Sequence, residues 1–306
     1  MRAMTVLMPF HTPFYAPLAA GAALGHFAAE GLDVRVVAAA AYGAPAAEAL
    51  AAGRLEICLS GIMRSLVLAD AGGPRLVHFA EVCRRNGFFL LARAPRPDFR
   101  WADLAGRTVL SFAEAPTPWQ CLLAVLRRHG VDPAAVRIDR RRPTADAVAA
   151  FLAGEGDFLE QTQPAVERLV AAGRAHVVAS MGEATGPLPF TSYMAAPGFL
   201  ERERETALAF TRAVYRTQRW LVGRAPAEIA GAVAGYFTDV ERPLLDAAVA
   251  RYAAQDTWAA DPICRREGYE RLHDILLAGG LIRRRHRYED LVDTELARAA
   301  VAAASG

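Results

Sequence analysis

One feature limits the fold of this chain more than any other: an internal repeat with an offset of about a hundred residues. "TVL" at 5–7 returns at 108–110, and "TPF" at 12–14 is matched by "TPW" at 117–119. "GLD" at 31–33 is matched by "GVD" at 130–132, and "ALAAGRLEICLS" at 49–60 by "AFLAGEGDFLEQ" at 150–161. Any one of these words means little alone. Four of them in one order at nearly constant offset point to a duplicated unit. The competing reading is two independent units that share generic turn chemistry.

Within the first copy, strand and helix signals alternate. Thr5–Phe10 reads as a strand, and Ala16 to Glu30 as a helix stopped by Gly31. Val34–Val37 is a strand, Pro45 opens a helix that Gly53 closes, and Leu55–Leu59 is a strand. This β-α-β-α-β order predicts an α/β fold with a mostly parallel sheet wrapped by helices. A length of 306 residues suits two lobes rather than one core. Phe88–Arg93 should lead out of the first lobe, and Phe190–Ala195 should return to it. The expected lobes are 1–91 with 193–306, and 92–192. Two crossings make a hinge. Beyond Leu200 the pattern is helical, and the alanine-rich end at 296–306 continues it. Trp220, Tyr236 and Trp258 are expected to pack in the core.

The duplication yields a list of candidate site residues, because ligands of open α/β sheets bind beyond the carboxyl ends of the strands. After the first strand stand His11, Thr12, Phe14 and Tyr15, with Glu114, Thr117 and Trp119 as counterparts. After the third stand Ser60 and Gly61, with Glu160 and Gln161 as counterparts. Tyr42, Glu81 and Tyr193 complete the set. Thr117-Pro118-Trp119-Gln120 fits a capping box, and Ser60-Gly61 is a second helix start. Helix starts expose N–H groups and a positive dipole end, which suit an anion. Arg64 falls one turn into its helix, where a cation costs a few tenths to about 1 kcal/mol. It therefore needs a carboxylate partner, Glu81 or Glu160, or an anionic ligand. Phe14, Tyr15 and Trp119 would sandwich a flat ring, and Glu81, Glu160 and Gln161 would read polar edges. His11 with Glu114 or Glu160 would be the acid–base set of an enzyme.

Several functions are excluded or disfavoured. All 35 basic residues are arginine, so lysine Schiff-base chemistry has no group to act. Cys58, Cys83, Cys121 and Cys264 lie far apart with apolar neighbours, which predicts buried free thiols and no metal site. No cofactor motif is present. A net charge of +2 gives no case for nucleic acid. The apolar stretch Ala16–Leu24 is too short to span a membrane and makes a poor signal sequence, so membrane insertion is not expected. Taken literally the chain is cytoplasmic; a removed leader or mis-chosen start would make it periplasmic or extracellular.

"HTPFYAPLAAGAALGHFAAEGLDVRVV" at 11–37 resembles the opening of solute-binding proteins of the nitrate, sulfonate, taurine and thiamine-precursor class. "AEALAAGRLEICLSG" at 47–61 resembles that family's second helix and third strand, and "DLAGRTVL" at 103–110 the entry to its second lobe. The resemblance covers nearly the whole chain. It implies a two-lobed type II periplasmic-binding-protein fold with two inter-lobe crossings and C-terminal helices. It also implies a small anionic or heteroaromatic ligand and an ABC permease as partner, with the binding protein a monomer. The thiamine pyrimidine synthase branch uses a lysine for pyridoxal phosphate, a nearby histidine and a cysteine-rich motif. Ser60 and Arg64 stand where the lysine and histidine would be, and no cysteine cluster exists, so that activity is not expected. Enzyme branches acting on carboxylates or sulfinates supply the alternative: a cytoplasmic decarboxylase or dehydratase/lyase using His11, Glu114 and Glu160. A desulfinase is disfavoured, since His11 occupies the loop of its cysteine.

Overall fold

The computed structural model describes residues 1–304. Ten strands form two five-stranded sheets. The first contains β1 (Arg2–Met8), β2 (Leu32–Ala38), β3 (Ile57–Ser60), β4 (Val77–Cys83) and β10 (Thr191–Ala195), in the order β2-β1-β3-β10-β4. The second contains β5 (Phe88–Ala92), β6 (Thr108–Leu110), β7 (Arg137–Asp139), β8 (Phe158–Thr162) and β9 (His176–Ser180), in the order β7-β6-β8-β5-β9. The order is the same, and so is the direction. β1 runs parallel to β2 and β3, and β6 parallel to β7 and β8. In each sheet the antiparallel strand is the one that arrives from the other lobe, β10 or β5.

The repeat extends to register. Val6 lies opposite Val36 and Ile57, and Val109 lies opposite Ile138 and Phe158. Ser60 therefore corresponds to Gln161 and Gly61 to Thr162, which corrects the expected pairing of Ser60-Gly61 with Glu160-Gln161. A slip of one residue moves a strand side chain to the opposite face. Glu160 corresponds to Leu59 and points where a core residue would.

The sheet changes sooner than expected. β5 pairs with β8 and β9 along its length, so the chain leaves the first sheet across 84–87, ahead of Phe88. It returns across 186–190. The expected boundaries at 91/92 and 192/193 fall inside β5 and β10. Gly87, on the outward crossing, sits where a Cβ would come within 2.5 Å of the Phe14 ring, so only glycine fits that approach.

The helix expected over Ala16–Glu30 is broken by Gly25 at φ 72° into Ala16–Ala23 and His26–Ala29. The helix Arg204–Leu221 buries Ala207, Phe210, Val214 and Leu221, a 3–4 residue spacing that lays one face on the first lobe. Later helices reach across. Arg242–Ala254 packs on Ala165–Ala171 of the second lobe, and Arg266–Ala278 on Thr117–Arg128. Trp258 is buried and donates its indole N–H to the Phe14 carbonyl at 2.9 Å, while Trp220 and Tyr236 pack half-buried against the core. The last helix is Glu295–Ala303; residues 305–306 of the expected alanine-rich helix lie outside the described residues. All four cysteines are free and buried. Among the described residues no helix is long and apolar enough to cross a membrane.

Candidate functional site

Residues just past the ends of β1, β3 and β6, and at the end of β8, enclose a pocket between the two sheets. Phe10, Thr12, Phe14, Tyr15, Gly61, Met63 and Arg64 line it from the first half, and Phe88, Phe112, Thr117 and Thr162 from the second. Phe190 and Thr191 close it at the return crossing. Its walls are aromatic and tightly packed. The Phe10 and Phe112 rings meet edge to face at 5.5 Å, Phe88 and Phe112 at 5.0 Å, and Phe14 and Phe190 at 5.9 Å. The free volume is about 50 Å³.

Four of these rings obey the duplication. Phe10 and Phe112 each stand two residues past the end of the first strand of their copy. Phe88 opens one crossing strand and Phe190 immediately precedes the other. Sequence reasoning missed all four, although the matched "TVL" words pointed to the first pair.

Arg64 is the one charged residue in the pocket lining. It sits in the first turn of the helix Ile62–Asp70, which starts at Gly61 with no side-chain cap. Among the described residues its guanidinium has no carboxylate partner and no hydrogen bond. Its charge is felt at Tyr15 and Cys58, where it opposes the upward push that burial gives both groups. An uncapped helix start and an unpaired guanidinium thus share one wall, and both attract negative charge. Thr12, Tyr15, Thr117 and Thr162 add hydroxyls. Two of these are already engaged: Thr12 donates to the Gln163 carbonyl at 2.7 Å, and Thr162 pairs with the Tyr252 hydroxyl at 2.7 Å.

The other expected site residues are held elsewhere. Glu81 is buried in β4 and lines a separate cavity with Arg84, Asp261 and Arg265. Burial pushes its carboxyl up to about 8. Glu160 is buried on the core side of β8, where Ser111 donates to one oxygen and the other has no partner. Burial raises it to about 7. The Gln161 side chain turns back to accept from the Thr162 N–H at 2.8 Å. Glu114 caps the helix Thr144–Leu152, accepting from the Thr144 N–H at 2.8 Å and hydroxyl at 2.6 Å. His11 points outward to Asp239 at 2.8 Å and rests on Phe237 at 5.0 Å. His11, Glu114 and Glu160 therefore do not form an acid–base set.

The expected aromatic sandwich also changes membership. Trp119 is covered by the Arg140 guanidinium 3.9 Å from its ring centre, and leaves Phe14 and Tyr15 in the pocket. Tyr42 donates to the Arg54 carbonyl at 2.7 Å, and Tyr193 is buried against Phe210 at 4.9 Å. Nor does the capping box form. The helix Thr117–Arg128 starts with Pro116 at its cap, and Gln120 instead reaches the Gly279 carbonyl at 3.3 Å. Ser60 is buried at the end of β3 and lines a second cavity that shares Arg64 with the first.

The sequence model of the family described as "NMT1/THI5 like" matches residues 9–229. The chain belongs to the NMT1/THI5-like family. A curated relative named "Putative binding protein YtlA", from Bacillus subtilis (strain 168), is 30% identical over 289 residues, spanning 94% of this chain and 86% of that protein. The alkanesulfonate-binding protein SsuA from Xanthomonas axonopodis pv. citri, solved bound to MOPS, superposes with a TM-score of 0.74 at 17% identity, over 96% of this chain and 99% of that one. The desulfurization enzyme DSZB superposes with a TM-score of 0.69 at 16% identity, over 99% of this chain and 100% of that one. This family member therefore has the two-lobed type II periplasmic-binding-protein fold. Binders and an enzyme share that fold, so its role must be argued from the site.

Proposed function

We propose that this protein is a solute-binding protein that closes its lobes on a small organic anion, as the binding component of an ABC-type importer. The observation that carries the reading is Arg64: a guanidinium without a carboxylate partner, at an uncapped helix start, in a pocket walled by phenylalanine. One positive charge suits one negative group, such as a sulfonate or carboxylate. Apolar walls suit an organic body on that group. The acids once expected to read the edge of a heteroaromatic ring, Glu81 and Glu160, lie outside the pocket, which favours the anion over an uncharged pyrimidine. The name of the Bacillus relative and the sulfonate-binding names among the structural neighbours support the same reading. Delivery to an ABC permease would place the protein outside the cell membrane. The crossings at 84–87 and 186–190 would serve as its hinge.

Calorimetric titration with methanesulfonate, benzenesulfonate, benzoate and a pyrimidine tests this. Binding of the anions without turnover is expected, with the Arg64→Gln variant weakened about 10- to 100-fold, the range for a hydrogen-bonded charge. Consumption of a bound compound, or full affinity in the variant, would refute it.

A further inference from the structure

Among the described residues Arg64 has no partner to hold it, so its place depends on how its helix is fixed. The helix Ile62–Asp70 is anchored one residue later. Ser65 is buried, with its Oγ 2.8 Å from His78 Nε2 of β4. The other ring nitrogen, Nδ1, lies 2.6 Å from Ser192 Oγ of β10. Ser65 Oγ also donates to the Met194 sulfur, again in β10, at 3.2 Å. His78 and Ser192 are fully buried. Burial lowers the imidazole to about 3, so it is neutral and carries one N–H. That gives the chain a direction. Ser65 directs its proton to sulfur, so His78 donates from Nε2 to Ser65 and accepts from the Ser192 hydroxyl at Nδ1.

Both ends of this chain lie on β10, the strand that the return crossing delivers. Ser192 also stands opposite Ser60, the last residue of β3 before the helix start at Gly61. The first helical turn is thus tied to β10 by backbone pairing ahead of it and by Ser65 within it. Stability alone does not require polar groups here, because an apolar set of the same shape can be nearly neutral. A fully satisfied buried network instead holds one arrangement rigidly.

The second lobe holds the matching helix in another way. In Ala165–Ala171 the third residue, Glu167, is itself the buried anchor, and the fourth, Arg168, reaches outward to Asp239. In Ile62–Asp70 the roles are exchanged: the third residue has no partner and the fourth is buried. A side chain that must meet a ligand cannot also anchor its helix, so its neighbour does.

We propose that Ser65, His78 and Ser192 are positioning residues for the anion site, fixing the first turn of the helix Ile62–Asp70, and with it Arg64, against β10. The inference rests on the reading that Arg64 binds the ligand's charge. It adds what aims the guanidinium and from which strand.

Ser65→Ala breaks the chain at a residue outside the pocket lining. Its affinity for benzenesulfonate should fall about 2- to 30-fold, the range for residues that act through others. In an Arg64→Gln background the same change should lower affinity no further, because members of one network are not additive. A second readout needs no ligand. The ¹⁵Nε signal of Arg64, identified as the one lost in Arg64→Gln, should shift in Ser65→Ala. Should that variant not fold, combining it with His78→Leu and Ser192→Ala removes all the chain's hydroxyls and its imidazole together, and should give the same loss of affinity. Native affinity in these variants, or an Arg64 signal that stays in place, would overturn the positioning role and leave Arg64 as the anion site. An equal loss in the Arg64→Gln background would do the same. No anion binding by the native protein would overturn both.

Discussion

The helices that follow β3 and β8 come from one duplicated plan and begin in opposite ways. In the first lobe the third helical residue is Arg64, a cation with no partner. In the second it is Glu167, buried and held from two sides. Gln163 donates to Glu167 at 3.0 Å, and Arg251 donates to the same oxygen at 2.5 Å. An acid at a helix start is favourable and a cation is not. The second lobe therefore uses this position for stability, and the first presents an unpaired cation there, where we propose that an anion binds. The two copies share backbone order and register, while the charge at this position is reversed.

The contrast can be broken by paired substitutions. The largest effect should come from Glu167→Ala, which strands Arg251 and should cost about 3 kcal/mol of stability while anion affinity stays unchanged. Denaturant melts and titration check the two halves of that statement. A drop in affinity at equal occupancy of the folded state would place the second lobe's helix start in the site.

Glu160 should give the next effect, and it depends on pH. Its folded value of about 7 lies above the ordinary 4.5. The folded state therefore holds a proton that the unfolded state releases. The contribution is fully present below about 4.5 and is lost as pH rises through about 7. Glu160→Gln removes this titration. Its stability relative to the native protein should improve between pH 5 and pH 8 by up to about 3 kcal/mol. Melts at those two pH values decide it, and a constant difference would show that Glu160 is ionised in the fold.

Arg64→Gln should show the reverse of Glu167→Ala. Affinity falls about 10- to 100-fold, while stability moves by no more than about 0.5 kcal/mol, as at any exposed site without partners. His11→Ala should do least. It removes a surface link to Asp239 worth at most about 1 kcal/mol and leaves affinity unchanged.

The sequence disclosed the fold through its repeat, because strand register is fixed by the same alternation in both copies. It also singled out Arg64 at a helix start, and the structure places that residue in the pocket lining with no carboxylate partner among the described residues. Three kinds of error remained. Glu160 was misplaced by one residue, and in a strand that reverses the face. Trp119 and Glu114 were placed by proximity to a strand end, but Arg140 and Thr144 hold them within their own lobe. The phenylalanines were missed because an apolar residue beside a strand reads as core. Phe10 and Phe112 line the pocket only because the two lobes bring their rings together.

The most direct test of the account is a crystal structure with benzenesulfonate bound. The sulfonate oxygens should lie within hydrogen-bond distance of the Arg64 guanidinium and the first-turn N–H groups of the helix Ile62–Asp70. A sulfonate found instead at the start of the helix Thr117–Arg128, with Arg64 unengaged, would contradict the claim that Arg64 holds the anion.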